Sequence, residues 1–213
     1  MSAFPVILSA PSGGGKTTIA KAVLARRTDV GYSVSCTTRS PRPGEVEGRD
    51  YQFLSRREFI DRQERGEFAE SAEVHGNLYG TLQSEVDRVL RAGQHVIMDI
   101  DVQGALQFRR AFPQSVSVFV LPPSGEVLLQ RLRERDTESG SQLVSRLQSA
   151  LQELQAVDEY QYVVVNDELE SAVSLVSSII DAEVASRERV ADLRHQVTLL
   201  IERLEREIES QSF

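Results

Sequence analysis

Val6-Ile7-Leu8-Ser9-Ala10-Pro11-Ser12-Gly13-Gly14-Gly15-Lys16-Thr17-Thr18 runs from an apolar segment through a glycine-rich turn to a lysine followed by two hydroxyl residues. Successive glycines let backbone N–H groups converge on an anion. A lysine at this place reaches the terminal phosphates of a nucleotide, and the next hydroxyl is placed to ligate Mg²⁺. The segment Ala10, Pro11, Ser12, Gly13, Gly14, Gly15, Lys16, Thr17 and Thr18 therefore reads as a phosphate-binding loop. The dipole of the following helix adds to the same anion site. A flexible linker is the competing reading of a Gly/Ser run, but a linker does not sit between a buried-strand pattern and the helical spacing Ile19, Val23, Leu24. The loop motif has glycine where this chain has Ala10. If that position needs a positive φ, alanine costs about 1 kcal/mol.

The chain is long enough, at 213 residues, for one sizeable core, and 40% hydrophobic with 26% charged residues is the balance of an ordinary globular protein. A net charge of −8 argues against nonspecific binding to nucleic acid or to anionic membranes. Arginines that meet phosphate must then be locally concentrated, and single-phosphate ligands fit better than duplexes. The single cysteine, Cys36, excludes an internal disulfide framework and suits a reducing compartment. The apolar run ahead of the loop is too short for a signal peptide or a membrane span, so a cytoplasmic location is expected. His75, His95 and His195 lie far apart with no ligand-like spacing, which points away from a zinc site.

Periodicity predicts a helix over residues 17–27 and a strand over 32–38. Arg39-Ser40-Pro41-Arg42-Pro43-Gly44 then fixes two arginines on a proline-stiffened loop. The loop reads as a phosphate clamp or as a solvated basic turn. Ser55 and Glu58 carry a capping-box signature for a helix to about residue 65. Strand patterns follow at 68–75 and 78–81 around Gly76-Asn77, and a helix at 84–92 is closed by Gly93. A strand over 95–101 places Asp99 and Asp101 at i and i+2, on one face at its end. That pair is either a solvated edge or a Mg²⁺-positioning acid with its neighbour. A buried strand at 115–121 leads through Pro122-Pro123 to a helix capped by Ser124, with Arg131 and Arg135 on one face at i,i+4. A further helix over 142–157 carries Arg146. The β-branched run 162–167 predicts a strand buried on both faces. The remainder reads as helical, with Val190, Leu193, Val197, Leu200, Leu204 and Ile208 recurring every three or four residues, close to heptad spacing. This stripe either pairs with another copy or packs back on its own sheet.

The loop 10–18 with Ser35-Cys36-Thr37-Thr38-Arg39-Ser40-Pro41-Arg42-Pro43-Gly44-Glu45, Gly48-Arg49-Asp50-Tyr51, Tyr79-Gly80-Thr81 and Asp99-Ile100-Asp101 resembles the guanylate kinases in content and order. The resemblance runs from about Phe4 to the helix after Asn166. It implies an α/β phosphate-loop kinase fold: a central parallel sheet flanked by helices, a β-rich GMP-binding insertion and a helical lid. The implied division is a core over 1–38, 82–123 and 158–182, an insertion over 39–81, a lid over 124–157 and a C-terminal helix over 183–213. It also implies Mg²⁺-dependent transfer of a phosphoryl group from ATP to GMP, giving ADP and GDP. Residues matching Ser35, Arg39, Arg42 and Tyr51 hold the GMP phosphate in that family. Those matching Glu70, Thr81 and Asp101 read the guanine, with Tyr79 contacting the nucleotide from the same hairpin. Asp99 matches the acid that orients the hydrated Mg²⁺, with Thr17 as its hydroxyl ligand. Lys16, Arg131, Arg135 and Arg146 match the charges that meet the transferring phosphate, and Asn166 a residue near the ATP adenine.

The chain departs from the family pattern at Ala10, at Thr81 where serine is common, and at Asp136 where glycine is usual. Threonine keeps the hydroxyl, whereas Asp136 adds negative charge near the lid arginines and bears on turnover rate. Two other readings use the same fold. One is a scaffold domain that binds phosphopeptides without catalysis, which typically lacks the loop lysine retained here as Lys16. The other is a kinase of another small phosphate ester, against which the set Glu70, Thr81 and Asp101 argues.

Overall fold

A computed structural model describes residues 3–74, 76–134 and 140–211. In chain order it contains β1 (Pro5–Ser9), α1 (Lys16–Arg26), β2 (Val30–Tyr32), β3 (Cys36–Thr37), β4 (Gln52–Phe53), α2 (Arg56–Glu64) and the hairpin β5 (Phe68–Val74) and β6 (Asn77–Leu82). There follow α3 (Gln83–Arg91), β7 (His95–Asp99), α4 (Val102–Ala111), β8 (Val116–Leu121), α5 (Gly125–Glu134) and α6 (Gly140–Gln155). A one-turn 3-10 helix, Val157–Glu159, precedes β9 (Tyr162–Val165), α7 (Leu169–Val184) and α8 (Leu193–Gln211).

The central sheet has the order β2-β7-β1-β8-β9, and its neighbours pair in parallel. β1 lies in the middle, so all five of its residues are buried, as a strand covered on both faces requires. One face packs Val6, Leu8, Ile19, Val23, Val173 and Val176 together. The other packs Ile7 and Met98 against Val86, Val89, Ala105 and Phe108. Each such side chain contributes about 1.5–3 kcal/mol by leaving water. This matters for α1, whose two threonines, Ile19 and Val23 are poor helix formers, so packing of Ile19, Ala20 and Val23 holds it. A smaller sheet, β4-β3-β6-β5, forms the insertion. There α2 starts with the expected capping box: Ser55 Oγ accepts from Glu58 N and the Glu58 carboxylate accepts from Ser55 N.

Four sequence expectations change. The strand expected over 32–38 is two strands in two sheets, since Tyr32 pairs with Ile97 and Cys36 with Gly80. Extended backbone persists across the switch, so alternation cannot mark it. The β9 run is not buried on both faces: it is an edge strand on which Val164 is buried while Val163 and Val165 are 48% and 49% exposed. α7 covers only the face that carries Val164. α4 was not expected at all, although Val102, Ala105 and Phe108 are buried at helical spacing behind its N-cap Asp101. The C-terminal helix starts at Leu193 rather than near 183, after Asp192 adopts a left-handed φ of 53°, which leaves Val190 outside it. Its stripe does not pack back on the sheet, because Leu200, Leu204 and Ile208 are 65%, 63% and 66% exposed. Among the described residues, no helix is long and apolar enough to cross a membrane.

Candidate active site

The parallel register brings Leu8 beside Asp99, so β1 and β7 deliver the phosphate loop and a carboxylate to the same sheet edge. Ligands of open parallel sheets bind beyond these carboxyl ends. In the loop, Gly13 and Gly15 adopt φ of 85° and 95°, values side chains resist. At Gly14 the constraint is space: a Cβ there would lie 2.7 Å from the Ala10 Cβ and 3.0 Å from the Pro11 carbonyl oxygen. Gly14 N–H closes the turn onto that carbonyl at 2.7 Å. Ala10 is fully buried and has no positive φ. Its departure from the motif is therefore unstrained, and the glycine at 14 accommodates its methyl.

Thr17 and Asp99 meet directly, the Thr17 hydroxyl donating to Asp99 Oδ2. The Tyr32 hydroxyl donates to Asp99 Oδ1 at 2.7 Å. Burial first, and then the Asp99 charge, push the Tyr32 phenol far up, so it stays a neutral donor. A hydroxyl and one carboxylate are hard oxygen ligands that suit Mg²⁺, which keeps most of its water and takes few protein ligands beside nucleotide phosphates. Among the described residues no cluster of three or more His, Cys, Asp or Glu could hold a metal by itself. The pair thus fits a metal arriving with nucleotide.

In the insertion, two of the residues expected to clamp a phosphate, Arg39 and Tyr51, come together. Arg39 lies over Tyr51, its Cζ 5.3 Å from the ring centroid, and near Phe53 at 5.9 Å. Its two terminal nitrogens pair with Glu45 at 2.9 Å each, and the Glu45 hydrogen bond is the main cause raising its pKa. Nε of Arg39 is buried with no hydrogen-bond partner. Tyr51 lies edge-on to Tyr79 with centroids 6.2 Å apart, and its phenol is pushed up to about 12, chiefly by burial. Ser35 Oγ lies 3.5 Å from Thr81 Oγ1, which sets it beside the residues expected to read the guanine. Arg42 is exposed.

Glu70 and Thr81 face each other across the β5–β6 hairpin, both buried, with Thr81 Oγ1 donating to Glu70 Oε1 at 2.7 Å. Burial pushes the Glu70 carboxyl up to about 7; the Thr81 bond opposes the rise and the Asp101 charge adds to it. Asp101 is not on the β7 face with Asp99. The strand ends at Asp99, and Asp101 caps α4, its Oδ1 accepting from Gln103 N at 2.8 Å and Gly104 N at 3.0 Å. The two carboxylates expected on one strand face therefore serve different elements: Asp99 faces the phosphate loop and Asp101 neighbours Glu70.

Over the loop, a cleft of about 410 Å³ is lined by Gly13, Gly15, Thr18, Arg131, Asn166 and Asp167, among others. Arg131 Nη2 reaches the Asn166 carbonyl at 3.5 Å. The Asn166 side-chain amide donates to Gly14 O at 2.9 Å and occupies the space a side chain at Gly15 would need. Asn166 thus braces the loop from β9. Arg146 is half-buried on α6, while Arg135 and Asp136 lie outside the described residues. Sequence reading missed three supports: Tyr32 on Asp99, Glu45 on Arg39, and Glu153, which reaches from α6 to accept Ser12 N–H at 2.8 Å. Burial is the main cause raising the Glu153 carboxyl. Tyr32 and Glu153 act across the fold and so carry no local sequence signal, whereas Glu45 lies six residues from Arg39 on the same loop.

A family model described as guanylate kinase matches residues 2–183. The chain is 47% identical over 186 residues to a guanylate kinase of Thermotoga maritima, covering 87% of this chain and 90% of that protein. It is 49% identical over 178 residues to one of Desulfitobacterium hafniense, covering 84% and 89%. A crystal structure of guanylate kinase from Anaplasma phagocytophilum superimposes with a TM-score of 0.76 at 34% identity, covering 91% of this chain and 93% of that one.

Proposed function

The chain belongs to the guanylate kinase family, and we propose how its residues divide the work of ATP + GMP → ADP + GDP. Residues 10–18 hold the ATP phosphates, and Lys16 with Arg131, Arg135 and Arg146 neutralises charge on the phosphoryl group in flight. Ser35, Arg39, Arg42 and Tyr51 hold the GMP phosphate, and Glu70, Thr81, Asp101 and Tyr79 the guanosine. Phosphoryl transfer asks for positioning and positive charge more than covalent chemistry. Mg²⁺, when bound with ATP, supplies further charge neutralisation beside Thr17 and Asp99. Residues 39–81 act as the GMP-binding insertion and 124–157 as a lid that excludes water on closing. A cytoplasmic location belongs to the same reading, supported by the buried, unpaired Cys36.

The observation that carries this reading is the buried Glu70–Thr81 pair standing one sheet away from a complete phosphate loop. Guanine offers N1–H and N2–H₂ as adjacent donors, which an ionised carboxylate accepts. The test is ADP release from ATP and Mg²⁺ with GMP as acceptor, run across pH. Because burial pushes the Glu70 carboxyl up to about 7, protonation below that pH removes the acceptor. kcat/KM for GMP should then fall by up to about tenfold per pH unit, while KM for ATP stays constant. Glu70→Gln should lose this step and keep only that of the substrate phosphate, near pH 6. No ADP release with any monophosphate would favour the scaffold reading, and a profile shared by wild type and Glu70→Gln would remove the pH assignment.

For the 19 residues of α8, about 28 Å long, the occupant we propose is a second copy of the chain. Arg194 and His195 stand at its start, and its end carries Glu202, Glu205, Glu207 and Glu209 against Arg203 and Arg206, so an antiparallel pair sets a basic start against a net acidic end while covering Val197, Leu200, Leu204 and Ile208. Sedimentation should give a dimer for the full chain and a monomer for residues 1–188. Monomers in both cases would end the proposal.

A further inference from the structure

Gly104 is the third residue of α4, where glycine disfavours the helix relative to alanine. Its backbone gives no reason for glycine, because Gly104 is not among the positive-φ glycines. Its N–H bonds Asp101 Oδ1 as any residue's would. The reason lies across the interface between α4 and β5. A Cβ on Gly104 would overlap Glu70 Oε2, come within 3.1 Å of Glu70 Cδ and lie 3.7 Å from Asp101 Oδ2.

We infer that Gly104 is a positioning residue for guanine selection: its missing side chain is the room in which the Glu70 carboxylate sits. This rests on the assignment of Glu70 as the guanine acceptor. Glu70 is 4% exposed and tied to Thr81, so a methyl group at residue 104 displaces the carboxylate from Thr81 or moves α4 away with Asp101. Either shift misaligns acceptors that must meet two adjacent donors, and a misplaced charged hydrogen bond at a buried site is costly.

A double-mutant cycle tests the assignment. Gly104→Ala in the full chain should lower kcat/KM for GMP by roughly 10- to 100-fold, lower the GMP-over-AMP ratio with it, and leave KM for ATP unchanged. Glu70→Asp withdraws the carboxylate by one methylene, so in that background Gly104→Ala should cost less than about threefold. Equal losses in both backgrounds, or no loss in either, would overturn the inference. If Glu70→Asp leaves the GMP-over-AMP ratio untouched, the guanine assignment falls and this inference with it. That outcome differs from one in which Glu70→Asp alters the ratio and Gly104→Ala does not, which overturns the inference only. Should Gly104→Ala fail to fold, the double variant must still fold and bind ATP; an unfolded double variant places the clash elsewhere and overturns the proposal.

Discussion

Lys16→Ala is expected to lower kcat by about 10³-fold or more while GMP binding persists, because a transition-state charge contact of this kind contributes several kcal/mol. The lysine follows Gly15 at the start of α1, where the loop amides and the helix dipole converge, whereas the insertion carries its own arginines. The substitution adds no bulk and Lys16 is only partly buried, so the fold should survive. Asp99→Asn should behave similarly in turnover, since the amide oxygen can still accept from Tyr32 and the amide NH₂ can donate to the Thr17 hydroxyl oxygen, the groups that now bond the two carboxylate oxygens, while the charge facing a metal is lost. Single-turnover kinetics with GMP affinity measured by calorimetry separates chemistry from binding. Near-full turnover by Lys16→Ala would remove its assignment to the reacting phosphate.

Discrimination between GMP and AMP should be about 10⁴-fold in kcat/KM, because adenine presents an acceptor at N1 where guanine presents a donor. In the buried setting of Glu70 and Thr81 that mismatch leaves polar groups without partners. Glu70→Gln should lose much of the GMP rate, as the amide offers one oxygen acceptor and no charge. It should not gain AMP activity to match, since Asp101 and Thr81 remain in place. CMP and UMP should be poor acceptors and dGMP weaker than GMP. Equal rates with AMP and GMP would dismiss the guanine-reading set.

Much of this was legible in the linear chain because the relevant physics is local. A run of glycines before Lys16 and Thr17 specifies an anion cradle by backbone geometry alone. Ser55 and Glu58 specify a helix start by two reciprocal hydrogen bonds. Apolar continuity in β1 announces a strand covered on both faces. The same local logic failed at Asp101, where a strand end and a helix cap carry the same residue type, and at β9, where β-branching does not report whether a strand lies at the sheet's edge.

The sequence by itself determined the fold class and the phosphate loop and, through its likeness to a family, named the residues proposed to meet each substrate. Only the tertiary structure decided what holds those residues in place. Tyr32 steadies Asp99, Glu45 engages Arg39, Asn166 and Glu153 brace the loop, and Gly104 leaves room for Glu70. All but the Glu45–Arg39 pair, which lies within one loop, join segments distant in sequence or depend on an absent side chain, and such contacts exist only once sheet order has set the distances. The same reasoning explains Ala10: its fit depends on the hydrogen at Gly14 four residues later, where a Cβ would collide with its methyl.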